Sequence, residues 1–277
     1  MAANPPKLGL IAGGGQVPAL ARAACADAGR PLFIAALRGF CDPETVADAE
    51  HGWFELAQVG ALLHGLRAAG VQEVVMCGRV TRPDFARLKP DWAGAKLLPR
   101  FALAALKGDD AVLRVAVEVF EAEGFKLRGV DEIVSGLLAP AGLIGGSQPS
   151  DAQQADIRAA LAAARALGAQ DKGQAAVAAQ GAAVGLEDQA GTDALLLRLR
   201  GNPAVRGGVL AKCAKPQQER RVDLPTIGVA TLENAAAAGL SGVAVQAGAA
   251  LIVDRAACKA AAERLGLFLI GVEIDGR

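Results

Sequence analysis

The sequence predicts an α/β protein of two domains, with a parallel sheet covered by helices in the first half and a mixed α/β arrangement in the second. In residues 7–77, short apolar runs typical of buried strands alternate with helix-like segments. A length of 277 residues is close to the size at which one hydrophobic core gives way to two. An apolar content of 52% with only 4% aromatic residues is typical of a globular protein with small-residue helices and not of a disordered chain.

The composition argues against several classes of function. The 29 acidic and 29 basic residues balance, so no nucleic-acid partner is predicted. The two histidines lack metal-ligand spacing, which disfavours zinc hydrolysis, histidine-based triads and histidine-rich dimetal sites. The five cysteines show no CxxC spacing and predict reduced thiols in a cytoplasmic protein. No segment approaches the ~20 apolar residues of a membrane span, so any membrane contact is expected to be peripheral.

The predicted first domain, residues 1–137, has a Rossmann-like pattern. The expected strands are 7–11, 32–36, 53–56 and 73–77, with helices at 18–28 and 59–69. Ligands of such sheets bind where the strands end. The substrate-binding residues expected on this basis are Ala12, Gly13, Gly14, Gly15, Gln16, Gly78 and Arg79.

The glycine turn departs from the dinucleotide fingerprint. It reads G-x-G-x-x-P, with Pro18 at the third glycine position, and Arg38 follows the second strand where an acid would hold a ribose hydroxyl. An NAD(P)-dependent oxidoreductase is therefore the alternative reading. The favoured one is a phosphate or sugar that approaches bare backbone amides of the turn.

Residues 138–150, LAPAGLIGGSQPS, are rich in Gly, Pro and Ser and are predicted to link the domains. The second domain, 151–277, is predicted to be mixed α/β. Its expected helices are 151–167, 192–200, 232–238 and 255–265, with a hairpin at 175–186 and strands at 209–212, 243–246, 251–253 and 267–272.

One amphipathic stretch, residues 84–107, interleaves large apolar and basic side chains: Trp92, Leu97, Leu98 and Phe101 with Lys89, Lys96, Arg100 and Lys107. The pattern suits a helix on an anionic membrane surface, or a helix that docks on its own domain. Asp109 and Asp110, which follow, are expected to act as charges in the first turn of a helix.

The stretch 212–228, KCAKPQQERRVDLPTIG, concentrates unlike charges in an otherwise apolar chain. Lys212 and Lys215 are point charges suited to phosphate oxygens, and Asp223 is suited to a divalent cation or to orienting water. A solvated loop is the alternative. Glu187 and Asp193 come at predicted strand and helix ends, so they are further candidate ligands for Mg²⁺.

Five motifs together resemble the LpxI-type UDP-2,3-diacylglucosamine pyrophosphatases of lipid A synthesis: LGLIAGGGQVP, GDDAVLR, DKGQ, GTDALLLR and the 212–228 stretch. The resemblance covers essentially the whole chain, in motif order and in spacing. One difference is Ala190, which stands where the family usually has an acidic residue.

The resemblance implies Mg²⁺-dependent hydrolysis of a UDP-linked, doubly acylated glucosamine to UMP and lipid X, in the cytoplasm at the inner membrane. It implies Asp223 as metal ligand or water-orienting base, Asp193 and Glu187 as further metal ligands, and Lys212 and Lys215 as cations on the pyrophosphate. Thr192, in the GTD motif, is expected to contact substrate. A non-catalytic lipid-sugar carrier is a further alternative, and the small-residue composition is compatible with a homodimer.

Overall fold

The computed structural model describes residues 5–81 and 88–274, so residues 84–87 of the amphipathic stretch lie outside the described part. The chain divides into two compact units. The first comprises the chain up to Ser135 together with Glu219–Asp223, and the second comprises Gly136–Gln218 and the chain from Leu224 onward.

The first unit contains, within the described residues, a five-stranded sheet in the order β3-β2-β1-β4-β5. Its strands are β1 (Leu8–Ala12), β2 (Leu32–Leu37), β3 (His51–Phe54), β4 (Glu73–Cys77) and β5 (Lys126–Arg128). All neighbours are parallel. This is the strand order of the Rossmann fold, with the switch point between β1 and β4. The predicted Rossmann-like domain is confirmed.

The described helices of the first unit pack on this sheet or on one another. They are α1 (Gln16–Asp27), α2 (Pro43–Val46), α3 (Val59–Ala68), α4 (Trp92–Ala105), α5 (Asp109–Ala122) and α6 (Val130–Ile133). Leu62 and Leu66 of α3 and Phe120 of α5 bury their side chains in one core with Ile11 of β1. Burial of this apolar surface away from water stabilises helices whose intrinsic helix propensity is modest.

The second unit has a six-stranded sheet, among the described residues, in the order β6-β13-β11-β9-β7-β8. Its strands are β6 (Gly142–Gly145), β7 (Ala175–Ala179), β8 (Ala182–Leu186), β9 (Val209–Lys212), β11 (Gly242–Gln246) and β13 (Phe268–Val272). The three central strands β13, β11 and β9 run parallel, while β6, β7 and β8 pair antiparallel. Two short strands, β10 (Thr226–Ile227) and β12 (Leu251–Ile252), pair separately. The prediction of a mixed α/β domain is confirmed.

Helices cover both faces of the second sheet. They are α7 (Asp151–Ala169), α8 (Gly191–Leu199), α9 (Val229–Ala237) and α10 (Arg255–Leu265), with a 3₁₀ turn at Pro203–Val205. Val177 and Leu210 belong to one core, and their strand neighbours Ala176 and Ala211 belong to the other. This alternation follows from the period of two along a strand.

Residues 138–150, predicted as a linker, contain β6 and so contribute an edge strand to the second sheet. Gly136, before this range, and Leu138, its first residue, are also held within this unit. Arg255 donates to the carbonyl oxygens of Gly136 and Leu138, and Leu138 forms an antiparallel bridge with Leu251.

None of the helices in the described ranges combines the length and the apolar character needed to cross a bilayer.

Candidate active site

The turns that follow β1 and β4 lie against each other at the carboxyl edge of the first sheet. Gly14 and Arg79 form an antiparallel bridge, with 2.9 Å from Gly14 N to Arg79 O and 2.8 Å from Arg79 N to Gly14 O. Gly13 N donates to the Cys77 carbonyl oxygen over 2.9 Å. A Cβ atom on Gly13 would lie 2.7 Å from Arg79 O. Glycine is required there because two backbones approach too closely for a side chain.

The amides of the glycine turn therefore have acceptors inside the protein. Besides those of Gly13 and Gly14, the Gly15 amide donates to Asp42 Oδ2 over 3.0 Å, just before α1 begins. The expectation of bare amides is wrong for these three residues. A dinucleotide would need such amides at the start of this helix for its pyrophosphate, so their use by the protein also weighs against the oxidoreductase reading.

The other expected binding residues of the first unit surround the same turns. Ala12 is buried at the end of β1, and Gln16 is exposed at the start of α1. Gly78 has a φ of 96°, which favours glycine, and it packs on Gly13. Contact of any turn residue with a substrate stays a prediction.

An apolar cavity of about 500 Å³ opens beside these strand ends within the first unit. This volume is in the range of small-molecule sites. Leu37 and Met76 line it from the sheet, Leu62 from α3, and Leu98 and Phe101 from α4. Burial raises the pKa of Cys77, another lining residue, to about 12, so that thiol is a neutral part of the wall. The cavity suits a ligand with a substantial apolar portion.

Polar side chains meet this apolar cavity at a few positions. Asp109, at the start of α5, and Asp223 both line it, as do Arg79 and Thr81. Two carboxylates beside a largely apolar cavity are the groups with which this site could hold a cation or orient water.

Asp223 reaches the first unit because the segment Glu219–Asp223 is fastened to α5. The backbone amide of Glu219 donates to Oδ1 of Asp110 over 3.0 Å. Asp110 is buried, with 6% of its surface exposed, and its Oδ2 accepts from Arg114 Nε over 2.9 Å. One buried carboxylate thus anchors the segment and is itself paired with a cation.

Arg221 supplies the second attachment. Its guanidinium donates to Glu121 Oε1 over 2.7 Å and forms two 2.9 Å bonds to the carboxylate of Glu219. Hydrogen bonding by Arg221 lowers the pKa of Glu219, and the pKa of Arg221 is raised by its bonds to Glu219 and Glu121. Val222 packs on the core of the first unit, so Asp223 follows a segment fixed on both its polar and its apolar side.

The two lysines predicted to bind phosphate lie in the second unit and have partners there. Lys212 ends β9 with 9% of its surface exposed, and its Nζ donates to the Thr226 carbonyl oxygen over 3.1 Å. Lys215 Nζ lies 2.5 Å from Asp171 Oδ1, and both side chains are largely buried. The first bond joins the two ends of the 212–228 stretch, and the second ties the stretch to Asp171.

Glu187 and Thr192 are bonded to each other. Thr192 Oγ1 donates to Glu187 Oε1 over 2.5 Å, while Glu187 Oε2 accepts from the amides of Gln174 and Ala175 at 2.6 and 3.1 Å. Glu187 is 7% exposed. Both of its oxygens accept bonds from the protein, which accounts for the burial of this carboxylate, and its predicted role as a metal ligand stays a prediction.

Asp193 is an exposed residue in the first turn of α8, and its Oδ1 accepts from Asn234 Nδ2 over 3.1 Å. Across residues 5–81 and 88–274, no three His, Cys, Asp or Glu side chains form a group that could hold a metal ion. The described residues therefore offer no preformed group of three such ligands. Mg²⁺ commonly takes one or two protein carboxylates and completes its coordination shell with water and substrate phosphates. Asp223, which lines the cavity, could supply one such carboxylate.

Sequence reasoning missed the roles of Asp110, Glu121 and Arg221. The motif GDDAVLR placed Asp110 correctly in the first turn of a helix, but its bond to Glu219 spans 109 positions in the chain. The only signal in the sequence was an acid pair near the start of one apolar helix and an Arg-Arg pair in a distant loop.

The fold and the cavity together define an α/β protein with a largely apolar cavity beside acidic side chains. A family model described as the LpxI N-terminal domain matches residues 7–137, and one described as the LpxI C-terminal domain matches residues 140–270. The UDP-2,3-diacylglucosamine pyrophosphatase LpxI of Caulobacter vibrioides is 46% identical over 280 residues, which cover 98% of this chain and 99% of that protein. The chain belongs to the LpxI family.

Proposed function

We propose that this chain hydrolyses the pyrophosphate bond of UDP-2,3-diacylglucosamine, giving UMP and 2,3-diacylglucosamine 1-phosphate (lipid X) in lipid A synthesis. The similar Caulobacter protein is named for pyrophosphatase action on this substrate, and the similarity extends over nearly the full length of both chains.

The observation that carries the proposal is the cavity of about 500 Å³ in the first unit, which combines an apolar lining with Asp223 and Asp109. Burial of acyl chains against such a lining would contribute a favourable free energy of about 0.8 kcal/mol per CH₂. A simple nucleotide or a free sugar phosphate would have no use for it.

Asp223 is the residue to which we assign the chemistry. Its carboxylate would orient the attacking water and accept the proton that this water loses. The water oxygen forms a bond to the sugar-side phosphorus, the bond from that phosphorus to the bridging oxygen breaks, and UMP leaves. The charge of the pyrophosphate repels a nucleophile, so cations on its oxygens are also needed.

Mg²⁺ is the proposed cofactor, with Asp223 as its protein ligand and Asp193 as a second candidate. When bound it supplies positive charge to the pyrophosphate oxygens. Lys212 and Lys215 remain the proposed side-chain cations, and each would exchange its present protein acceptor for a phosphate oxygen. Glu187 remains a third candidate ligand, whose oxygens at present accept bonds from Thr192 and two backbone amides.

Incubation of the purified protein with UDP-2,3-diacylglucosamine and Mg²⁺, with and without a chelator, tests the proposal. We expect equal amounts of UMP and lipid X with Mg²⁺, and neither with chelator. Binding of the substrate without turnover would favour the carrier reading. Tight binding of NAD(P) in a parallel titration, without hydrolysis, would favour the oxidoreductase.

The same proposal includes a cytoplasmic location with peripheral contact to the inner membrane, where the substrate lies. It also includes a homodimer. The small-residue composition supports self-association. Light scattering on the purified protein would return about twice the chain mass of 28.0 kDa for a dimer.

A further inference from the structure

Helix α4 carries large apolar side chains on its solvent side. Trp92 is 76% exposed, Leu103 is 64% exposed, and Leu106, directly after the helix, is 84% exposed. At about 100° per residue, these three side chains project within about 60° of one another around the helix axis. They form one apolar strip, extended by the exposed Pro99.

Basic side chains line one side of this strip. Lys96 and Arg100 are exposed, and in projection each lies within about 80° of Trp92. Lys107 is exposed in the turn after the helix, directly after Leu106. Lys96 Nζ lies 3.3 Å from the centroid of the Trp92 ring, and Arg100 pairs with Glu118 of α5. Residues 92–105 contain no acidic side chain. The solvent side of α4 is therefore apolar with a cationic edge.

The opposite side of α4 belongs to the first unit. Ala104 is buried, and Gly94, Leu98 and Phe101 line the cavity. A Cβ atom on Gly94 would lie 2.1 Å from the Ala57 carbonyl oxygen, so the helix packs closely on the loop before α3. A helix that is apolar on both sides while one side is exposed is typical of a helix with a second apolar partner.

We propose that the solvent side of α4 is the surface by which this protein binds a bilayer that contains anionic lipid. Tryptophan is enriched at the membrane interface, and lysine and arginine beside an apolar strip are attracted by anionic headgroups. Lysine is depleted at protein interfaces, which argues against a protein partner. A symmetric contact with a second copy would place the two cationic edges in the same interface.

This location has a consequence for the reaction, which rests on the proposed function. The wall of the cavity and the membrane-binding surface are two sides of one helix. An acylated substrate in the bilayer leaflet that α4 contacts would therefore be separated from the cavity lining by this one helix. Its acyl chains would need to pass only around the edge of α4.

Sedimentation of the full-length protein with vesicles tests the surface directly. The vesicles are phosphatidylcholine with and without phosphatidylglycerol. We expect the wild type to bind the mixed vesicles. The double variant Leu103→Glu, Leu106→Glu should lose about tenfold or more in affinity. Lys96→Gln and Lys107→Gln should each lose about fivefold in affinity, because each removes one positive charge. Leu197→Glu is the matched control, because Leu197 is 61% exposed and lies in the second unit. Wild-type affinity in the double variant would overturn the proposal, as would an equal loss in the control.

Trp92 gives a second readout that does not depend on affinity. In a Trp53→Phe background, its emission should shift to shorter wavelength with the mixed vesicles and be quenched by brominated lipid. An unchanged spectrum with bound vesicles would contradict the assignment. Hydrolysis of detergent-dispersed substrate separates the two proposals: Leu103→Glu, Leu106→Glu should retain it. Absence of hydrolysis in the wild type would remove the proposed function and leave the surface untouched.

Discussion

The carboxylate of Asp110 accepts a hydrogen bond from the backbone amide of Glu219, which lies 109 positions further along the chain. With one carboxylate oxygen on Glu219 N and the other on Arg114 Nε, it has little freedom to move, and it is buried. Since Asp223 follows four residues after Glu219, we regard Asp110 as a positioning residue for Asp223.

Asp110→Ala should lower kcat about 10²-fold with a small change in KM, because a displaced carboxylate harms the chemical step more than binding. Asp110→Asn keeps an acceptor for Glu219 N and should restore most of kcat. Asp151→Ala, in the first turn of α7, is the control. Equal kcat in the Ala and Asn variants would argue that Asp110 acts only through its charge or through stability.

Lys215 and Asp171 form a second largely buried pair, with 12% and 16% of their side chains exposed. We expect Lys215→Met and Asp171→Asn each to lower the free energy of unfolding by about 2 kcal/mol, and the double variant to lose little more. The proposed phosphate role adds a difference between them: Lys215→Met should weaken binding of lipid X, and Asp171→Asn should not. Additive losses in urea unfolding would contradict the pairing.

At the scale of elements, β4 begins with a buried acid that gathers arginines from neighbouring segments. Glu73 lies 2.5 Å from Arg30 and 2.6 Å from Arg128, and 8% of its side chain is exposed. Burial acts to raise the pKa of Glu73, but hydrogen bonds from Arg128 and Arg30 outweigh it and lower this pKa below its ordinary value. The cluster ties β4 to β5 and to the loop before β2.

Because the folded pKa of Glu73 is lowered, its contribution to stability is present above the unfolded pKa of about 4.3 and is lost as pH falls through the folded value. Glu73→Gln should therefore lower the free energy of unfolding by about 3 kcal/mol near neutral pH and by less in acid. Urea unfolding as a function of pH measures this. Glu50→Gln, which breaks the exposed pair with Lys7, should cost less than about 1 kcal/mol. An equal loss at all pH values would contradict the account of Glu73.

At the scale of the whole molecule, the fold could be predicted where local rules decide it. The hairpin of β7 and β8 turns at Gln180 and Gly181, whose φ values of 55° and 77° suit a two-residue turn, and both strands matched the prediction. Alternation of strands and helices likewise gave the parallel sheet. Strand ends that depend on pairing were predicted less well. The third strand was expected at 53–56 but is His51–Phe54, because it pairs with β2 in that register.

The candidate site was less accessible to sequence reasoning, because it depends on contacts distant in sequence. The acids of the second half were expected as a group, yet Glu187 accepts bonds from Thr192 and two amides, and Asp223 belongs to a segment of the first unit. The apolar cavity required five or more elements to come together. No local pattern could indicate it.

The central claim is that Asp223, at the cavity of the first unit, carries out the hydrolysis of a diacylated UDP-sugar. The most direct measurement is the rate of UMP release from UDP-2,3-diacylglucosamine by the wild type and by Asp223→Asn, together with the affinity of each for lipid X. We predict that the variant folds and binds lipid X while its kcat falls by about 10²-fold to 10⁴-fold. A variant that releases UMP at the wild-type rate would contradict the account.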